Sequence, residues 1–172
     1  MHPIIVSQID KSLAFSYVYN LNHLTEFAQK GTFEAKKEYR TRFSVVDVKC
    51  PKDLISAVKV VNLKTGAFKD ATAKSTAAKG KEKLVFVVEF FVKDYTNILT
   101  NSFVKVILAF DDNHNFFPGI KPADILKKAD TRKAVQASFE TLKKFNVWVE
   151  AAVTFNKDRQ IVISEQTSLK EY

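Results

Sequence analysis

Cysteine is nearly absent from this chain. Cys50 is the only one in 172 residues, which excludes an internal disulfide and any zinc site built mainly from thiolates, since those take two to four cysteines. A reducing compartment is the natural setting for such a chain. Glycine is scarce too, and Gly31, Gly66, Gly80 and Gly119 are too scattered to make a phosphate-cradling loop, so nucleotide hydrolysis and dinucleotide binding have no motif. His2, His23 and His114 lie far apart, with neither HExxH nor a paired helical spacing, so metal catalysis has no ligand set. No apolar run reaches the roughly 18 residues of a spanning helix. The opening MHPIIVSQID has neither a basic n-region nor an apolar stretch long enough for secretion. The expectation is a soluble intracellular protein with no resident cofactor or metal.

What the chain does have is apolar and basic. With 46% hydrophobic and 12% aromatic residues, it can form one globular domain with an aromatic-rich core, and disorder is excluded as a description of the whole. We read residues 1–172 as that single domain. The formal charge of +8 favours polyanionic partners, nucleic acid or an acidic membrane among them. Both ends are nearly neutral, and the excess lies in three blocks: five bases to two acids in 30–42, seven to two in 59–83, and seven to three in 121–144. Each block by itself is equally well read as a solvated loop or helix face.

The run LVFVVEFFV at 84–92 is β-branched and aromatic throughout and follows the loop-like KDATAKSTAAKGKEK, so it reads as a strand. Alternation puts Phe86, Val88, Phe90 and Val92 in the core and Glu89, Phe91 and Lys93 on the other face. In FVKVILAF at 103–110, Val104, Val106, Leu108 and Phe110 share the core face and Phe103, Lys105 and Ile107 the opposite one. FNVWVEAAVTF at 145–155 is expected to bury Phe145, Val147, Val149, Val153 and Phe155 and to expose Asn146, Trp148, Glu150 and Thr154. QIVIS pairs with it across a turn at 156–159. Upstream, RFSVVDV at 42–48 supplies a strand and VKVVNLKTGAFK a hairpin around Thr65 and Gly66. Helices are expected at 21–29, at KPADILKK with Pro122 near its start, and where Val135, Phe139 and Leu142 recur behind Asp130, a candidate N-cap. Strand, insertion, strand, strand, helix, strand, strand is the order of a five-stranded barrel of the oligonucleotide-binding (OB) type, all-β with accessory helices.

Catalysis finds no support. A set assembled from His114, Asp111 and a serine is available in almost any chain of this size, and Cys50 is better read as a packed thiol than as a nucleophile. What remains is aromatic and basic side chains on one sheet face, the means by which sequence-tolerant single-strand binders stack bases and follow phosphates. Phe91 with Lys93, and Phe103 with Lys105, have that composition, although a solitary outward Phe is often covered by a loop or helix. Trp148 faces outward by the same alternation and is kept as a partner-interface candidate.

With the strand order laid out, residues from about 60 to 172 resemble the C-terminal, third single-strand-binding domain of the replication protein A large subunit. LVFVVEFFVKDY is similar to the family's strand ending in an Asp-aromatic pair, here Asp94 and Tyr95. Phe103 stands where the family has a Trp that stacks on DNA, and Ile107 where a second aromatic is usual. FNVWVEAAVTFNKDRQIVI resembles the penultimate hairpin, with Lys157 and the basic Arg159 in its turn, and SLKEY the segment before a trimer-forming helix. The family inserts a four-cysteine zinc ribbon after its first strand. Here the matching positions are Asp70 and Ala73, and only Cys50 with Pro51 looks retained. We therefore read 50–83 as a degenerate, metal-free ribbon-like insertion and 1–40 as an N-terminal extension carrying a helix.

Loss of the ribbon cysteines is what a specialised paralogue would show, and the known paralogues include the telomere-repeat-binding processivity subunit of ciliate telomerase. The resemblance implies a nuclear, non-enzymatic domain that holds single-stranded telomeric DNA through Phe91, Lys93, Phe103, Lys105, Lys157 and Arg159. It also implies docking to telomerase or trimer subunits through Trp148. The competing expectation is a pure assembly domain of a replication protein A-like trimer with no significant DNA binding.

Overall fold

The computed structural model describes residues 5–9, 16–50, 53–97, 102–113, 116–164 and 167–171, without the side chains of 5–8, 168, 170 and 171. Five strands close a barrel: β3 (Tyr39–Lys49), β6 (Glu82–Lys93), β7 (Val104–Phe110), β8 (Trp148–Phe155) and β9 (Ile161–Ile163). Their order around it is β3, β6, β7, β9, β8 and back to β3, with β7 and β9 parallel and the other pairs antiparallel. With helices inserted between β7 and β8, this is the OB-fold.

Closure depends on β3 serving two neighbours. Its first half pairs with β8, from Tyr39↔Val153 to Ser44↔Trp148, and its second half with β6, from Ser44↔Lys93 to Lys49↔Glu89. The register shifts between Val45 and Asp47, a bulge that bends the strand from one edge to the other.

The insertion continues the first strand. β4 (Val58–Asn62) runs along the same edge of β6 as β3 does, from Val58↔Phe86 to Asn62↔Glu82, and then folds back as β5 (Phe68–Asp70). Asn62 builds the turn, its side-chain oxygen accepting from the N–H groups of Lys64 and Thr65, and Gly66 at φ +74° supplies the left-handed residue. Asp70, at one of the ribbon positions, pairs with Lys59.

Two helical plugs fill the barrel ends. At one, α2 (Pro122–Lys127) and α3 (Ala129–Lys144) bury Ile125, Leu126, Val135, Phe139 and Leu142 in the core, with Phe139 against the rings of Phe86, Phe90 and Phe117. At the other, β2 (Val18–Tyr19) and α1 (Leu21–Lys30) join Tyr19, Phe27, Tyr39 and Phe155 in edge-on or tilted contacts of 5.1 to 5.8 Å. Phe33 stacks on Phe155 at 4.5 Å. β1 (Ile5–Gln8) and β10 (Ser168–Glu171) form a separate antiparallel pair that alternation does not reveal.

Two expectations are corrected. Asp130 is not an N-cap: α2 ends and α3 begins at the shared residue Lys128, whose N–H donates to the Asp124 carbonyl while its own carbonyl accepts from Arg132. Asp130 falls in the first turn, where its charge suits the helix dipole. Phe145 does not begin a buried strand either. It closes α3, its N–H donating to the Thr141 carbonyl, and is 45% exposed. The left-handed Asn146, at φ +47°, then redirects the chain, so β8 starts only at Trp148.

Candidate nucleic-acid interface

The outer face of β6 and β7 is built by direct pairing. Phe91 lies opposite Lys105, Glu89 opposite Ile107 and Val87 opposite Ala109. Because Val92 pairs with Val104, Phe103 stands beside Lys93 at the end of the ladder, 48% exposed. Phe91, Lys93, Phe103 and Lys105 are thereby brought together on one surface. The Lys105 ammonium is 3.7 Å from a Glu89 oxygen, a solvent-exposed pair worth little.

The face continues across β9 and β8, where Ile107 neighbours Val162 and Val162 neighbours Thr154. Here small floor residues, Ala109, Val162 and Thr154, leave a groove of about 460 Å³ with Lys36 and Lys83 on its rims. The two acids in it are engaged, Asp111 with Lys83 at 3.3 Å and Glu38 as acceptor from Ser164 Oγ at 2.8 Å. Neither lysine was singled out by sequence, because what brings 36 and 83 together is barrel closure.

Lys157 and Arg159 occupy the β8–β9 turn. This turn precedes Ile161, which lies beside Val106, so it stands at the Phe103 end of the face. Arg159 N–H donates to the Asn156 carbonyl and Asn156 N–H to the Gln160 carbonyl, a three-residue loop whose last member, Arg159, is left-handed at φ +60°. The two bases then diverge in use. Lys157 is exposed to solvent, whereas the Arg159 guanidinium donates to the Gln29 carbonyl at 3.1 Å and covers the last turn of α1.

Tyr95 lies in the turn just beyond β6, is 74% exposed, and its hydroxyl accepts from the Asn20 amide at 3.3 Å. Phe68 on β5 is another exposed ring, among the lysines of the insertion.

No family model matches the chain. The chain is similar to telomere-binding protein alpha subunits. It is 33% identical over 168 residues to "Telomere-binding protein subunit alpha" of Stylonychia mytilus, a match covering 92% of this chain and 33% of that protein. To the protein of the same name from Sterkiella nova it is 32% identical over 156 residues, or 89% of this chain and 30% of the relative. The chain thus spans about a third of the length of these telomere-binding relatives.

Cys50 lies at the end of β3, half-buried. Burial pushes its thiol above the ordinary cysteine range, and Asp47 adds to this while the Lys143 ammonium opposes it. A thiol so disposed is a poor nucleophile. His2 and His114 lie outside the described residues. Among the described residues no helix is long and apolar enough to cross a membrane.

Proposed function

We propose that this domain is a non-catalytic, nuclear single-strand binder that grips telomeric DNA on the outer face of β6 and β7. The observation that carries it is the grouping of Phe91 and Phe103 with Lys93 and Lys105 on the face that OB-folds use for oligonucleotides. The name shared by the two relatives supports telomeric DNA as the ligand. Lys36, Lys83 and Lys157 follow the backbone at the edges of the face. Arg159 joins them only if its guanidinium leaves Gln29.

The relatives are named as subunits, which supports a second element of the proposal: the domain also docks its parent protein to other proteins. In a replication protein A-like chain of linked barrels, even a weak module prolongs the hold on a strand through the effective concentration its neighbours set. Such tethered holding is what a telomerase processivity factor supplies. Deleting the domain from the parent protein should then abolish partner association and processive synthesis while sparing most DNA affinity.

The direct test is a salt titration of oligonucleotide binding. Each lysine on a phosphate contributes a slope of about −0.7 in log K against log salt for single strands, so three or four contacts give a slope of about −2 to −3. A flat or undetectable response returns the pure assembly reading.

A further inference from the structure

Ser44 is the one residue of β3 that pairs on both sides, with Trp148 on β8 and with Lys93 on β6. Directly paired residues point to the same face. Trp148, Ser44 and Lys93 therefore form one row across three strands, and the step to β7 adds Phe103. At about 4.8 Å per strand, the indole-bearing backbone is roughly 10 Å from that of Lys93. Ser44 is 1% exposed although it lies on the outer face, so its longer neighbours close over it, while Trp148 remains 56% exposed. The row reads ring, small residue, base, ring.

Charge decides what it fits. Arg42, which pairs with Glu150 two residues along β8 from Trp148, and Lys93 are the bases tied to this row, and Glu150 itself is held by Arg40 at 2.6 Å and Arg42 at 3.5 Å; Lys143 of α3 is engaged by Glu140 at 3.1 Å and Asp47 at 3.8 Å. The paired neighbour of the ring is a serine, and three residues before it the exposed Phe145 has the Lys144 ammonium 5.4 Å above its own ring. A protein-docking ring is ordinarily set among apolar neighbours. A ring set among cations suits a strand that offers bases and phosphates alternately.

We infer that Trp148 is a base-stacking platform of the single-strand interface, at the far end of a track that runs from Phe103 across β3, rather than a separate protein-docking residue. This rests on the single-strand reading above and extends it around the barrel.

Trp148 is the only tryptophan in the chain, so its emission reports this ring alone. Titrating the full chain with an oligothymidine, while following binding separately by the anisotropy of a labelled copy, should give saturable quenching that tracks the anisotropy. Trp148→Ala should weaken binding about tenfold, the scale of one lost stacked base, and Trp148→Phe should restore most of it. Since the ring is exposed, a thermal melt is expected to match the parent chain. Binding by anisotropy with unquenched emission and an unchanged affinity for Trp148→Ala would overturn the inference and leave the ring to a protein partner. A flat anisotropy titration would overturn the single-strand reading itself, and this inference with it.

Discussion

The carboxylate of Asp94 accepts the backbone N–H of Leu21 at 2.7 Å, tying the turn after β6 to the first residue of α1. Its other oxygen takes the N–H and hydroxyl of Thr96. At the opposite end of α1, Arg159 donates to Gln29. An anion at the N-terminus and a cation at the C-terminus both complement the helix dipole. α1 is thus held at each end by one of the two loops that border the Phe103 end of the candidate interface.

Asp94→Ala should lower stability by about 2 kcal/mol, because a buried charge-assisted acceptor is lost and the Leu21 and Thr96 donors are left open. Urea unfolding gives the number, and hydrogen exchange should show the α1 amides opening first. An unchanged midpoint would mean that α1 is held by its apolar face alone.

Arg159 holds a left-handed conformation that glycine adopts without cost, and a side chain there costs about 1 kcal/mol. Arg159→Ala loses the guanidinium and keeps that strain, whereas Arg159→Gly loses both. The glycine variant should therefore be the more stable of the two by about 1 kcal/mol in urea. Equal midpoints would show that the turn is not strained.

On the β6–β7 face, Phe103→Ala should loosen oligonucleotide binding and Ile107→Trp should tighten it, each by about tenfold, since base stacking is worth roughly 1–3 kcal/mol per ring. Fluorescence anisotropy measures both. If neither variant shifts the affinity, the strand binds elsewhere.

For Cys50 the sign follows from its environment. A pKa raised by burial means less thiolate at any given pH, and thiolate is the reacting form. Iodoacetamide should label the folded chain more slowly than a free cysteine at pH 8, and raising the pH above the ordinary thiol range should close the gap. Urea should abolish the difference, and equally fast labelling of the folded chain would count against a packed thiol.

Which side chains share the outer face of β6 and β7 was legible locally. A strand over 84–93 or 103–110 has a side-chain period of two, so Phe91 and Lys93, and Phe103 and Lys105, had to share the outside of their strands once Phe90 and Val106 were inside. The spacing of Val135, Phe139 and Leu142 marked α3 in the same way. Local periodicity did not locate the end of α3, because Phe145 continues an apolar rhythm that only the left-handed Asn146 interrupts.

Side-chain period and composition within a dozen residues are enough to assign the class of the fold, the inward and outward faces of β6 and β7, and a basic, aromatic surface. Tertiary structure alone decided which outward residues are neighbours. Trp148 joins Lys93 through Ser44, Lys36 faces Lys83 across a groove, and Arg159 turns to α1, all by pairings between segments distant in the chain. The reason is physical: periodicity sets the direction of a side chain relative to its own backbone, while register and barrel closure, which set its neighbours, emerge only when the strands bury their common core.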